Sequence, residues 1–225
     1  MIPPQLAHAI QEFTTWVLPL VLAITLHEAA HGLAAWSLGD DTAKSQGRVS
    51  LNPLNHIDPF GTLVLPAMLL LGGSSFLFGW AKPVPVNFNR LKPPRLGMVL
   101  VALAGPGINI LLAVISALLL HLLPYLPASG VVWAEANLVN SVQINLILAV
   151  FNMLPLPPLD GGRVAVGLLP RKLAIPLANM ERYTFIILVV GMVLLPMIGI
   201  NLFGWLIGRP VEFLVQVVAQ ITGLS

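Results

Sequence analysis

From Phe13 to Leu38 the chain reads FTTWVLPLVLAITLHEAAHGLAAWSL, with His27, Glu28 and His31 set inside an otherwise apolar run. The run exceeds the roughly 20 residues that a helix needs to cross a bilayer. In hydrocarbon the backbone has no water to bond, so a spanning segment must satisfy its own N–H and C=O groups, and a helix does so. Comparable runs recur at about 96–123, 135–155 and 176–200, and a shorter one at 62–78 is interrupted by Gly72-Gly73-Ser74-Ser75. Of 225 residues 57% are hydrophobic and 9% charged, against about 25% charged in soluble domains. The sequence therefore predicts an all-α polytopic membrane protein, a bundle of about four to six transmembrane helices in the lipid bilayer.

The charges give this bundle a direction. Lys44, Arg48, Lys82, Arg90, Lys92 and Arg95 fall in 39–95, and Arg163, Arg171, Lys172 and Arg182 in 156–182. By the positive-inside rule both segments face the cytoplasm of a cell membrane and the N-terminus lies outside. If 39–61 and 81–95 share a side, 62–78 dips in and returns; otherwise it is a short span and one loop violates the rule. The tail, 201–225, is either a last span or an interfacial helix. Residues 1–12 hold no basic n-region, so no cleaved signal peptide is expected. The net charge is only +2, with no basic cluster interleaved with aromatics, which argues against a nucleic-acid partner.

His27 and His31 stand at i and i+4, so a helix projects both imidazoles from one face, where they can share a metal ion. Glu28 is then beside the ion's open position. The alternative, a pair of core histidines bonded to neighbouring helices, puts three ionisable groups in a span without a chemical use. The chain has no cysteine, so further ligands must be histidine or carboxylate. Asp40 and Asp41 lie in a polar loop and Asp58 in a turn, whereas Asp160 follows Asn152-Met-Leu-Pro-Leu-Pro-Pro-Leu at the inner end of the third span. There prolines end the helix and Gly161-Gly162 let the backbone bend, which aims a carboxylate back into the bundle. His27, His31 and Asp160 are the predicted ligands of one zinc per chain.

Other polar residues admit two readings. Asn137, Ser141, Asn145 and Asn152 fall near one face of the third span, and either line a wet cavity or bond neighbouring helices. Asn109 in the second span serves the site or packing. His56 either stabilises an oxyanion or gates access, or is a turn histidine bonded to backbone. Lys82-Pro83-Val84-Pro85-Val86-Asn87 is extended, and is either an edge whose Val84 and Val86 pair with unwound substrate or a spacer.

HEAAH in a first span, Gly105-Pro106-Gly107-Ile108-Asn109 in a middle span, and the Asn152…Pro155-x-Pro157-x-x-Asp160-Gly161 run together resemble the site-2 protease family of intramembrane zinc metalloproteases. The resemblance covers the chain to about residue 169 and is that of a small branch without PDZ or CBS domains. It implies zinc on His27, His31 and Asp160, Glu28 as general base, and Asn152 as a substrate-binding residue. It also implies cleavage within a single-pass transmembrane substrate, and membrane-reentrant β-structure (a small hairpin or loop) over GRVSLNPLNHIDPFGTLVLP. One membrane-embedded protease domain is expected over 1–225, with its catalytic core at about 13–169 and C-terminal helices at about 176–225. The competing reading is a metal-binding membrane protein without catalysis, either a transporter or an inactive homologue. The absence of an internal repeat and the presence of Glu28 weigh against it.

Overall fold

A computed structural model describes residues 3–64, 68 and 81–224. Its architecture rests on three long helices: α1 (Pro4–Ser37), α3 (Pro94–Leu120) and α4 (Ala128–Asn152), with a short α2 (Thr42–Ser45) between the first two. After α4 come α5 (Asp160–Leu168), α6 (Arg171–Asn179), α7 (Glu181–Val189), which continues helically to Met197, and α8 (Arg209–Thr222). Ile10–Ser37, Pro94–Leu120 and Ala128–Asn152 are long and apolar enough to cross a membrane. Arg171–Asn179 and Glu181–Met197 qualify together, bent by 56°. There are thus three such helices among the described residues, or four if the bent pair is one crossing. The run expected to span at about 176–200 overlaps this bent pair, whose break at Met180 comes shortly after Pro176 withdraws a backbone donor inside α6.

The helices meet through small side chains. Ala113 and Ala117 of α3 pack with Leu146 of α4 and with Val211 and Val218 of α8. Ala35 of α1 packs with Leu91 and with Val101 of α3. Between helices in lipid, such residues allow the close approach that van der Waals packing requires. The outward faces carry Leu18, Leu22, Leu103, Leu111 and Leu118, all exposed, which suits a hydrocarbon solvent and not water. Polar joints tie the helices. Ser116 Oγ lies 2.7 Å from Ser141 Oγ, and Asn140 Nδ2 donates to the Thr15 carbonyl at 3.0 Å. Asn137 bonds within its own helix, to the Trp133 carbonyl at 2.8 Å. Interhelical bonding is thus the role found for Ser141 and Asn140.

The stretch expected to form β-structure does not do so in its described part. Residues 53–56 form a 3-10 turn and 59–64 a π turn, and no strand occurs among the described residues. Asn52 Oδ1 accepts the Leu54 amide at 3.1 Å and Asp58 Oδ1 the Gly61 amide at 2.6 Å, while Pro53 and Pro59 have no donor to give. Local side-chain acceptors and missing donors both compete with a strand ladder. Most of the segment that would span or re-enter, 62–78, lies outside the described residues.

Residues 81–87, without helix or strand, cross the end of α1 as a strap that meets Glu28 and Asp40 through backbone amides. The Lys82 amide donates to the His56 carbonyl at 2.9 Å, and Arg48 Nη2 to the Lys82 carbonyl at 2.7 Å. The Asn87 amide donates to Asp40 Oδ2 at 2.6 Å. Asp40 is fully buried, with its other oxygen taken by the Thr42 amide and hydroxyl.

Candidate metal centre

One turn apart on α1, the His27 and His31 rings lie 4.6 Å apart at 86°, with their Nε2 atoms 3.0 Å from each other. Asp160, the first residue of α5, meets them from the other side. Its Oδ2 is 3.2 Å from His27 Nε2 and its Oδ1 3.3 Å from His31 Nε2. The three residues are buried, and one ligand atom from each falls within 4.8 Å of the others.

Glycine makes both approaches possible. A Cβ on Gly161 would sit 2.1 Å from the Met153 carbonyl oxygen, and one on Gly162 2.2 Å from Pro157 N, so only glycine lets α5 start against the turn that ends α4. A Cβ on Gly105 would fall 2.5 Å from both His27 Cε1 and His31 Nε2. This glycine brings α3 against the histidine pair.

The protonation of the cluster follows from its outer partners. His31 Nδ1 lies 2.7 Å from the Val101 carbonyl oxygen, an acceptor only, so that nitrogen carries the ring proton. His27 Nδ1 lies 2.6 Å from Asn109 Oδ1, again an acceptor. In the neutral rings both Nε2 atoms therefore present lone pairs, to each other and to a carboxylate. This explains why the buried Asp160 Oδ2 has no hydrogen-bond partner although His27 Nε2 is near. Four converging acceptors without a donor are a site for a cation. Two imidazole nitrogens and a carboxylate, with one position left open, are the donor set of catalytic zinc. Zinc fits.

Glu28, half-buried beside the pair, stands outside this group. Its Oε2 accepts the Val84 amide at 2.7 Å, so the strap reaches the carboxylate through backbone. Val86 packs on the Ala35–Leu91–Val101 cluster. Asn109 is fully buried behind His27, at the ligand rather than on an open surface. His56 is buried with Nε2 2.9 Å from the Ser50 carbonyl oxygen, which matches a turn histidine bonded to backbone. Asn152 is half-buried at the end of α4, with Nδ2 on the Leu148 carbonyl at 3.0 Å. The roles of Gly105 and of the Val101 carbonyl escaped the sequence reading. Gly105 was visible within Gly-Pro-x-x-Asn, whereas a backbone acceptor leaves no mark in a sequence.

Comparison with known proteins agrees with this geometry. The model of the peptidase family M50 matches residues 128–198, which include Asp160. Over 178 residues the chain is 43% identical to a Bacillus subtilis protein named "Putative zinc metalloprotease YwhC", an alignment covering 77% of this chain and 78% of that one. The chain belongs to peptidase family M50. It is thus a metalloprotease of the site-2 protease family, with zinc as its metal. Over 173 residues it is 32% identical to "Putative zinc metalloprotease Rip2" of Mycolicibacterium smegmatis, covering 76% of this chain and 63% of that relative's length. No solved structure significantly matches the chain.

Proposed function

We propose that this metalloprotease is an intramembrane endopeptidase, which hydrolyses a peptide bond within the transmembrane segment of a single-pass membrane protein. The observation that carries the reading is the position of the ligands. His27 and His31 sit on a helix of membrane-crossing length, and Asp160 reaches them from the end of another. On this reading 1–225 forms one membrane-embedded protease domain, with its core at about 13–169. The active site is near the cytoplasmic side of the cell membrane and the N-terminus lies outside, as the basic segments favour.

His27, His31 and Asp160 would hold the zinc, which when bound would supply a Lewis acid and make a water easier to deprotonate near neutral pH. Glu28 takes the proton from water and returns it to the leaving amine. The Val84 amide holds Glu28 Oε2 and so limits the rotation of that carboxylate. A helical substrate hides its amides in its own hydrogen bonds and must unwind to expose one. The strap at Val84 and Val86 offers backbone to such a segment by strand addition, with Asn152 as a further substrate contact.

The decisive test uses purified protein in detergent with a panel of model transmembrane substrates. Wild type cleaves, and Glu28→Gln loses about 10²- to 10⁴-fold in rate. Equal cleavage by the two, or none by zinc-loaded wild type across the panel, overturns the proposal.

A further inference from the structure

A chain of buried amides leads from His27 away from the metal and into the bundle. Asn109, fully buried, accepts His27 Nδ1–H on Oδ1. Its Nδ2 donates to Asn145 Oδ1 at 2.7 Å and faces the Ala23 carbonyl oxygen at 3.4 Å. Asn145, 1% exposed, donates from its own Nδ2 to the Ser141 carbonyl at 2.9 Å, with Ser141 Oγ at 3.3 Å. An asparagine amide has one accepting and one donating end, and rotation by half a turn exchanges them. Were Asn109 rotated, its NH₂ would face His27 Nδ1. That nitrogen would become the acceptor, the ring proton would move to Nε2, and His27 could no longer bind a cation through it.

We infer that Asn145 is a positioning residue for the metal: by fixing which end of the Asn109 amide faces His27, it fixes the tautomer that leaves His27 Nε2 free to ligate. The hydrogen-bond chain is directional because it ends on a group that cannot reverse. The Ser141 carbonyl only accepts, so Asn145 must turn its NH₂ toward it and its oxygen toward Asn109. Asn109 must then turn its NH₂ toward Asn145 and its oxygen toward His27. In the reversed state Asn109 Oδ1 would oppose Asn145 Oδ1 and the Ala23 carbonyl, three acceptors together in a dry site, which is costly. The inference rests on the zinc reading of the cluster and is independent of the nature of the substrate.

Zinc affinity, measured by competition with a chromogenic chelator in detergent, tests it. Asn145→Leu, close in volume but without either polar end, lowers zinc affinity by about 10- to 100-fold, the usual effect of losing an outer partner of a ligand. In an Asn109→Asp background the same change produces no loss, since both carboxylate oxygens accept and rotation changes nothing. Unaltered affinity in Asn145→Leu overturns the inference. So does an equal loss in both backgrounds, because that is what a packing defect gives. A second measurement needs no variant: ¹⁵N-histidine NMR of the zinc-free wild type shows both rings protonated at Nδ1, and a His27 whose Nδ1 carries no proton overturns the relay. Zinc binding by wild type tests the site itself, so the two failures are distinguishable.

Discussion

The wall of the site that holds the ligands and the strap that crosses its open side are built by opposite means. His27, His31 and Asp160 are held from within the helices, by a backbone carbonyl, a chain of amides and close contacts at three glycines that admit no other side chain. The strap is held from outside, each bond joining one of its backbone groups to a carboxylate, a guanidinium or a carbonyl: Val84 to Glu28, Asn87 to Asp40, Lys82 to Arg48 and His56. Proline at 83 and 85 leaves the strap few donors, and the Val84 amide, one of those that remain, is given to Glu28. A fixed wall suits metal binding, which tolerates little change in geometry. A strap joined by single bonds suits a base that must move protons.

Substitutions on the wall and on the strap should have separable effects. His31→Ala on the wall removes a ligand, and both zinc binding and proteolysis should fall to background. Glu28→Gln on the strap side should lose proteolysis as steeply while zinc affinity stays within about twofold of wild type, since Glu28 lies outside the ligand group. Parallel metal analysis and substrate cleavage read out the difference, and zinc loss in Glu28→Gln would place that residue in the wall. Gly105→Ala adds the Cβ that falls 2.5 Å from His27 Cε1 and His31 Nε2. It should weaken zinc binding by about 10- to 100-fold, an effect of the size seen when the support of a ligand is lost. Helical content by circular dichroism should stay constant, and unaltered zinc affinity would mean that α3 yields at this point.

How far the sequence spoke for each region follows from what periodicity and chemistry can encode. The wall was legible because His27 and His31 must be one turn apart and Asp160 must follow a helix stop with glycines, so spacing and turn chemistry together marked it. The three long helices were legible from length and apolarity alone. The partners of the ligands were not: Val101 acts through its carbonyl, and Asn145 acts through a pairing with Asn109 that exists only once α3 and α4 are packed. The break at Met180 was not legible because a hydrophobic pattern reads the same for a straight span and a bent one. At 53–64 the residues themselves pointed to turns, and the β-structure that the family resemblance implied is replaced there by turns built on proline and local side-chain acceptors.

The smallest effect should come from the far anchor of the strap. Burial of Asp40 works against its ionisation. The Thr42 hydroxyl and the amides of Asn87 and Thr42, with the charge of Arg90, outweigh that and hold its carboxyl below the usual carboxylate range. A carboxyl depressed on folding stabilises the protein fully above its unfolded value, about 3.9, and loses that contribution as pH falls through the folded value. Asp40→Asn should therefore cost about 1–3 kcal/mol at neutral pH, the scale of a hydrogen bond to a charged group. It should also flatten the acid limb of the wild-type stability curve below about pH 4. Thermal unfolding in detergent across pH 3 to 7 measures both. Zinc affinity should remain that of wild type, because Asp40 anchors the strap and touches no ligand; a fall in zinc affinity would show that the strap also supports the wall and would erase the distinction between them.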